Sequence, residues 1–226
     1  MPKGIARQNI AGRAGIARRP IASVYATQSE QTAAASPQMF PVGSYTFTPT
    51  VSGWWKFVLW GGGGKDNNNG GGSGAYCEIT KFVTTGQTVA LSAGRGQGAL
   101  AATASTATFP DGTVASAGGA SGNTGGSASG GDVNLNGSTG GLNASGTAGA
   151  AGLGTGGGLG GPGNGASVGG GAGAPANLPY RGGIGGDGST STEVVGRTPG
   201  GGCASGSIGT YTMAGDGQII ASLARS

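Results

Sequence analysis

Between residues 117 and 207 the chain is built almost entirely from Gly, Ala, Ser, Thr and Asn, and nothing in that stretch alternates over the length of a strand. Glycine brings no side chain to bury and loses the most backbone entropy on folding. Such a segment cannot make a conventional close-packed core, so any order it has must come from its backbone. The bias extends to the whole chain, where 56 of 226 residues are Gly and 9% are charged, against roughly 7% and roughly 25% in ordinary domains. A side-chain core is therefore confined to a small region.

Two physical states are open to the glycine mass. One is a flexible linker, the usual outcome of low hydrophobicity and many glycines. The other is a lattice of extended helices with three residues per turn. Polyproline II geometry has no internal hydrogen bonds, so its N–H and C=O groups are free to pair sideways. Glycine lets such helices approach closely enough to do so, and the lattice gives each buried amide the partner it needs. The near absence of charge and the scattered apolar residues Val133, Leu135, Leu142, Leu153, Leu159, Val168, Leu178 and Ile184 favour the lattice. In it, Asn143, Pro162-Gly163-Asn164 and Asn177-Leu178-Pro179-Tyr180-Arg181 would form exposed loops.

The glycine mass lies between two stretches with β character. From residue 42 to 116, Ser44–Thr48 alternates polar and aromatic side chains, as a half-buried strand does. Trp54–Trp60 is the most hydrophobic segment, with Trp55, Phe57 and Leu59 on one face and Trp54, Lys56, Val58 and Trp60 on the other. A continuous run of this kind suits a strand covered on both faces, and the tryptophans are expected in the core. Ala75–Val83 and Thr88–Ser92 read as further strands, separated by a turn at Thr85-Gly86-Gln87. Shorter pieces, Thr106–Phe109 and Thr113–Ser116, flank the turn Pro110-Asp111-Gly112. At the other end, Thr210–Met213 and Gln218–Ala221 flank Ala214-Gly215-Asp216-Gly217, which reads as a hairpin. The expected fold is mostly β: a small β-sandwich-like core with a long glycine-rich insertion of polyglycine or polyproline II type and no significant helix.

Charge separates the N-terminus from the rest. Residues 1–39 carry five basic side chains against Glu30, a net +4, while residues 40–226 carry seven of each sign. Residues 1–24 hold an 11-residue echo, with Gly4-Ile5-Ala6-Arg7 returning as Gly15-Ile16-Ala17-Arg18. Gly4, Gly12, Gly15 and Pro20 oppose a helix, and the isoleucines do not fall on a 3.6-residue stripe. The segment reads as an extended anchoring arm that offers Ile5, Arg7, Ile10, Arg13, Ile16, Arg18, Arg19 and Ile21 to a partner. Residues 25–41 read as a polar linker closing on Pro37 and Pro41, and 42–226 as the glycine-rich β domain. No secretory signal core and no 18-residue apolar run are present, so no membrane span is expected. Two cysteines, Cys77 and Cys203, are too few for a disulfide framework, and the sequence does not decide whether they pair.

A series of landmarks resembles the glycine-rich domain of bacteriophage tail-fibre, spike and adhesin proteins. They are Gly43-Ser44-Tyr45-Thr46-Phe47-Thr48, Phe57-Val58-Leu59-Trp60 running into Gly61–Gly64, Gly70–Tyr76, Thr85–Val89, and Gly215-Asp216-Gly217-Gln218-Ile219-Ile220. They occur in order over about residues 42–222. The resemblance implies a virion protein on the particle surface that binds bacterial surface polysaccharide or an outer-membrane protein. Members of that family often end a long fibre, whereas here the domain fills nearly the whole chain. The carrier is thus open among capsid, portal vertex, and tail or baseplate, and a homotrimer is the expected assembly. Receptor contacts are expected at polar or aromatic tips between glycine runs: Lys65, Asp66, Asn67, Asn68 and Asn69 in one loop, Asn177, Tyr180 and Arg181 in another.

Other chemistries find little support. Without histidine, a Ser-His-Asp triad, a Cys-His pair and a His metal site are excluded, and the eight acids show no sequence-near pair for glycoside hydrolysis. Gly61–Lys65 is followed by Asp66 where a phosphate-binding loop needs Ser or Thr. Gly182–Asp187 matches the start of a calcium-binding nonapeptide once, and such repeats must stack. Arg181-Gly182-Gly183 is a lone copy of a motif that nucleic-acid binding uses several times. The expectation is a non-enzymatic protein with no cofactor or metal and no nucleic-acid partner. Two alternatives are a head-attached decoration or vertex protein with a purely structural role, and an ice-binding glycine-helix bundle.

Overall fold

The apolar run expected to form a strand covered on both faces is the middle strand of its sheet. The computed structural model describes residues 36–65, 71–97, 101–140, 199–201 and 214–224, which form ten strands and no helix. In chain order these are β1 (Gln38–Phe40), β2 (Gly43–Phe47), β3 (Gly53–Trp60), β4 (Tyr76–Val83), β5 (Val89–Ala93), β6 (Ser105–Thr108), β7 (Val114–Ala117), β8 (Ala128–Ser129), β9 (Val133–Leu135) and β10 (Gln218–Leu223). They make two five-stranded sheets in the orders β1-β10-β3-β4-β9 and β2-β5-β6-β7-β8, and every pairing is antiparallel.

The period-2 alternation of β3 decides the packing. Trp55, Phe57 and Leu59 point between the sheets, alongside Cys77, Ile79 and Val83 of β4 and Ile219 and Ala221 of β10. The second sheet answers with Phe47, Val89, Leu91 and the small residues Ala93, Ala107, Ala115 and Ala117. Alanines opposite indoles and phenyl rings let the two faces interdigitate at the density of a protein interior. Phe47 sits edge-on to both Trp55 and Phe57, with ring centroids 4.9 and 5.4 Å apart, and Phe57 meets Phe109 at 5.1 Å. These are the tilted arrangements that aromatic quadrupoles favour.

The other face of β3 divides along its length. Val58 and Trp60 are buried in a second cluster with Tyr76 and Ile220, whereas Trp54 is 53% exposed. Trp55 and Trp60 are thus core residues as expected, and Trp54 is not. The division follows from position, because Trp54 opens the strand at the end of the sheet and Trp60 closes it against the glycine segments.

Four elements depart from the sequence reading. β1 lies inside the stretch read as a linker, since Pro37 and Pro41 mask a three-residue strand that pairs with β10. β8 and β9 are short strands within the glycine mass, with β9 bonded to Tyr76–Glu78. Ala214–Gly217 is not a hairpin turn, because β10 pairs with β3 and β1 and the amides of Ala214, Gly215 and Gly217 bond to Gln97, Gly201 and Gly94. Residues 210–213 lie outside the described residues.

The connections sort to opposite ends of the sandwich. The turns at 84–87 and 109–113 close one end, with Gly86 and Gly112 at φ +88° and +81°, where only glycine is unstrained. The amide of Gly112 donates to the Phe109 carbonyl, and that of Gln87 to the Thr84 carbonyl. At this end Lys81 Nζ also reaches Asp111 Oδ2 at 2.9 Å and Thr113 Oγ1 at 3.0 Å, tying the sheets together. The glycine-rich connections after β3, β5, β7 and β9 all leave from the other end.

Candidate functional site: the glycine lattice

Beyond Trp60 the chain runs on as Gly61–Gly64, and its hydrogen bonds change pattern. The amide of Gly61 donates to Ala75, that of Gly62 to Thr103, that of Gly63 to Gly215, and that of Gly64 to Gly72, over 2.7–3.1 Å. Three successive amides serve three different segments, and the fourth returns to the first. The next run repeats this, with Gly72 donating to Gly122, Ser73 to Ser138, Gly74 to Gly200, and Ala75 back to Gly118. A direction that recurs every third residue is the repeat of polyproline II geometry, not of a strand. The carbonyls are used as well, since Gly62 accepts from Ala120 and Gly63 from Gln97.

Glycine is needed here for lack of space. Gly61–Gly64 and Gly71–Ala75 are buried, with their neighbours' backbones where side chains would be. A Cβ on Gly62 would overlap the Arg95 carbonyl, one on Gly61 the Gly118 carbonyl, and one on Gly74 the Gly61 carbonyl. Backbone-bonded packing of this kind is present among the described residues in the runs 61–65, 71–75, 94–97, 101–104, 118–126, 137–140, 199–201 and 214–217, and five of these eight runs flank the 117–207 glycine mass and do not belong to it. Residues 141–198 lie outside the described residues.

A few side chains fasten the lattice. Ser105 Oγ donates to the Trp60 carbonyl and accepts from the Gly94 amide at 2.8 Å, joining both sheets at their glycine ends. Buried Ser73 and Ser138 face each other at 3.1 Å between hydroxyls, and the Ser138 amide donates to Ser73 Oγ at 2.8 Å. Asp216 Oδ1 accepts from the Gly96 amide at 2.8 Å.

Lys65 stands where the chain leaves the lattice. Its amide donates to Gln97 Oε1 at 2.8 Å, and the Gly64–Gly72 bond at 2.7 Å closes the neck through which the chain returns. Among the receptor-contact candidates only Lys65 is described. Asp66, Asn67, Asn68, Asn69, Asn177, Tyr180 and Arg181 lie outside the described residues, as do the arm candidates Ile5, Arg7, Ile10, Arg13, Ile16, Arg18, Arg19 and Ile21. Sequence reasoning missed Gln97 and Asp216 as fasteners of the lattice. Their only signal was being polar side chains within glycine runs.

No family model matches this chain, and no curated protein matches it.

Among the described residues, the two groups with clearly shifted ionisation lie outside the lattice. Burial pushes the Cys77 thiol up to about 11, and its sulfur sits 3.5 Å from the Ser129 carbonyl and from Asn134 Oδ1. It is a free thiol held protonated, and so a poor nucleophile. Hydrogen bonds from Lys81 and Thr113 lower the exposed Asp111 carboxyl to about 2. Among the described residues no three Cys, Asp or Glu side chains gather as metal ligands, and no helix is long and apolar enough to cross a membrane.

Proposed function

We propose that the chain is a surface protein of a bacteriophage particle, a fibre or spike anchored through residues 1–24, whose glycine-rich body carries receptor-binding loops. The observation that supports this is the lattice at one end of the sandwich. Its described segments are held to one another by backbone groups, so that fastening does not depend on which side chains lie between them. A loop such as 65–70, closed at its neck by the Gly64–Gly72 bond, can change every side chain while the platform below stays the same. Proteins that must track a varying host surface need that separation of scaffold from contact. The partners in this reading are a capsid, vertex or tail protein for the arm, and bacterial surface polysaccharide or an outer-membrane protein for the loops. The assembly in this reading is a homotrimer and its role is binding, not catalysis.

The test has two parts. Detected with an antibody, the chain is expected on purified particles and lost from them when residues 1–24 are deleted. Excess full-length chain added to host cells is expected to compete with the phage for adsorption, and substituting Lys65–Asn69 and Asn177–Arg181 together is expected to abolish the competition. Absence from particles would end the reading altogether. Presence on particles without competition would leave only the structural decoration role.

A further inference from the structure

At the turn end of the sandwich, away from the lattice, the outer face of the first sheet carries an exposed aromatic pair. Trp54 of β3 and Phe82 of β4 are register partners with ring centroids 5.7 Å apart at 72°. They are 53% and 52% exposed, although Val58 and Trp60 on the same face are buried. The next row across β10, β3 and β4 is polar: Ser222, Lys56 and Thr80 are register partners. Lys56 is ion-paired with Glu78. Glu78 also accepts from the Tyr76 hydroxyl at 2.8 Å, so its carboxylate is held in place from two sides. The Thr80 amide donates to Asp132 Oδ2 at 2.7 Å, which fixes this part of β4 beyond the end of β9.

We propose that this face binds a neutral saccharide, with Trp54 and Phe82 stacking against the apolar face of one sugar ring and Thr80, Ser222 and the Lys56–Glu78 pair meeting its hydroxyls. Two features select that class of ligand. The first is size. Two half-exposed aromatic side chains present on the order of 200 Å², whereas a stable protein contact needs about 800 Å² on each partner. The polar row interrupts the apolar surface before it reaches the exposed Met39 beside Ile220, so the patch does not extend into a protein-sized interface. The second is the order of the chemistry. An aromatic row lies about 7 Å, two strand residues, from a polar row whose Lys56 is held by Glu78. A pyranose has the same division, with C–H groups on its ring face and hydroxyls around its rim. The site is separate from the lattice loops, and its test needs neither a particle nor a host.

The indole N–H signals of the three tryptophans report on it in the purified full-length chain. The probes are neutral disaccharides of glucose, galactose, mannose and N-acetylglucosamine. With at least one of them, the Trp54 signal, assigned through Trp54→Phe, should shift in a saturable way while those of Trp55 and Trp60 stay still. Phe82→Ala and Thr80→Val, read from the Trp54 signal, and Trp54→Ala, read by titration calorimetry with the same disaccharide, should each weaken that binding about tenfold or more. The unmoved Trp55 and Trp60 signals show that each variant is folded. A stationary Trp54 signal with all four probes would overturn the proposal, as would binding that survives Trp54→Ala. Sedimentation showing self-association that Trp54→Ala abolishes would assign the pair to a second copy of the chain and overturn it equally.

Discussion

Replacing Gly62 by Ala puts the lattice under the most direct mechanical load. The new methyl would overlap the Arg95 carbonyl oxygen and lie 2.9 Å from the Gly96 nitrogen. Both are backbone atoms, so no flexible side chain can swing away. Moving residues 95–96 strains the Thr103-to-Arg95 bond of 3.0 Å, and moving residue 62 strains its bonds to Thr103 and Ala120. Overpacking costs roughly 1–3 kcal/mol, and each buried group left without a partner costs roughly 1–3 kcal/mol more. The smaller entropy of the unfolded Ala chain returns less than about 1 kcal/mol. The expected net loss is about 4 kcal/mol. Gly86→Ala is the control: nothing lies within 4 Å of a Cβ there and φ is +88°, so only backbone strain of roughly 1–2 kcal/mol applies. Urea unfolding followed by tryptophan fluorescence yields both values from the midpoint and slope. If Gly62→Ala costs no more than Gly86→Ala, close backbone packing is not what holds the lattice.

Three further outcomes follow from particular contacts. Trp55→Ala should cost roughly 3–5 kcal/mol as a core cavity, and Trp54→Ala within about 0.5 kcal/mol of zero as a surface change; equal losses in urea unfolding would refute the assignment of the two faces of β3. The Asp111 carboxyl should titrate near 2, below the usual 3.8, so its stabilising contribution is complete above the ordinary carboxylate range and is lost as pH falls toward 2. Carbon-detected NMR titration checks the midpoint, and Asp111→Asn should lack that part of the acid transition. In a Cys203→Ser background, Cys77 should resist a thiol reagent at pH 8 until the chain is unfolded, because burial holds its thiol near 11; rapid labelling of the native chain would contradict this.

The legible parts of the fold were those written in side chains. The alternation of β3 placed Trp55, Phe57 and Leu59 on one face, and the turns at Gly86 and Gly112 came from residues that tolerate positive φ. The backbone partners of the glycine runs were not legible. Gly61 bonds to Ala75 and Gly62 to Thr103 through backbone groups that every residue carries, so no side chain records the choice. β9 escaped notice because its three residues depend on β4 more than fifty positions away. The exposure of Trp54 depends on where the outer face of β3 stops being covered, which alternation alone does not record. For the candidate site, Gln97 and Asp216 carried no signal beyond being polar side chains within glycine runs.

Amide hydrogen exchange tests the central claim most directly, since the account rests on glycine amides bonded in three directions within a buried lattice. The amides of Gly61–Gly64 and Gly72–Ala75 should exchange as slowly as those of Phe57 and Leu59 in β3, opening only with global unfolding. Exchange of the lattice glycines as fast as the turn glycine Gly86, with β3 still protected, would contradict it.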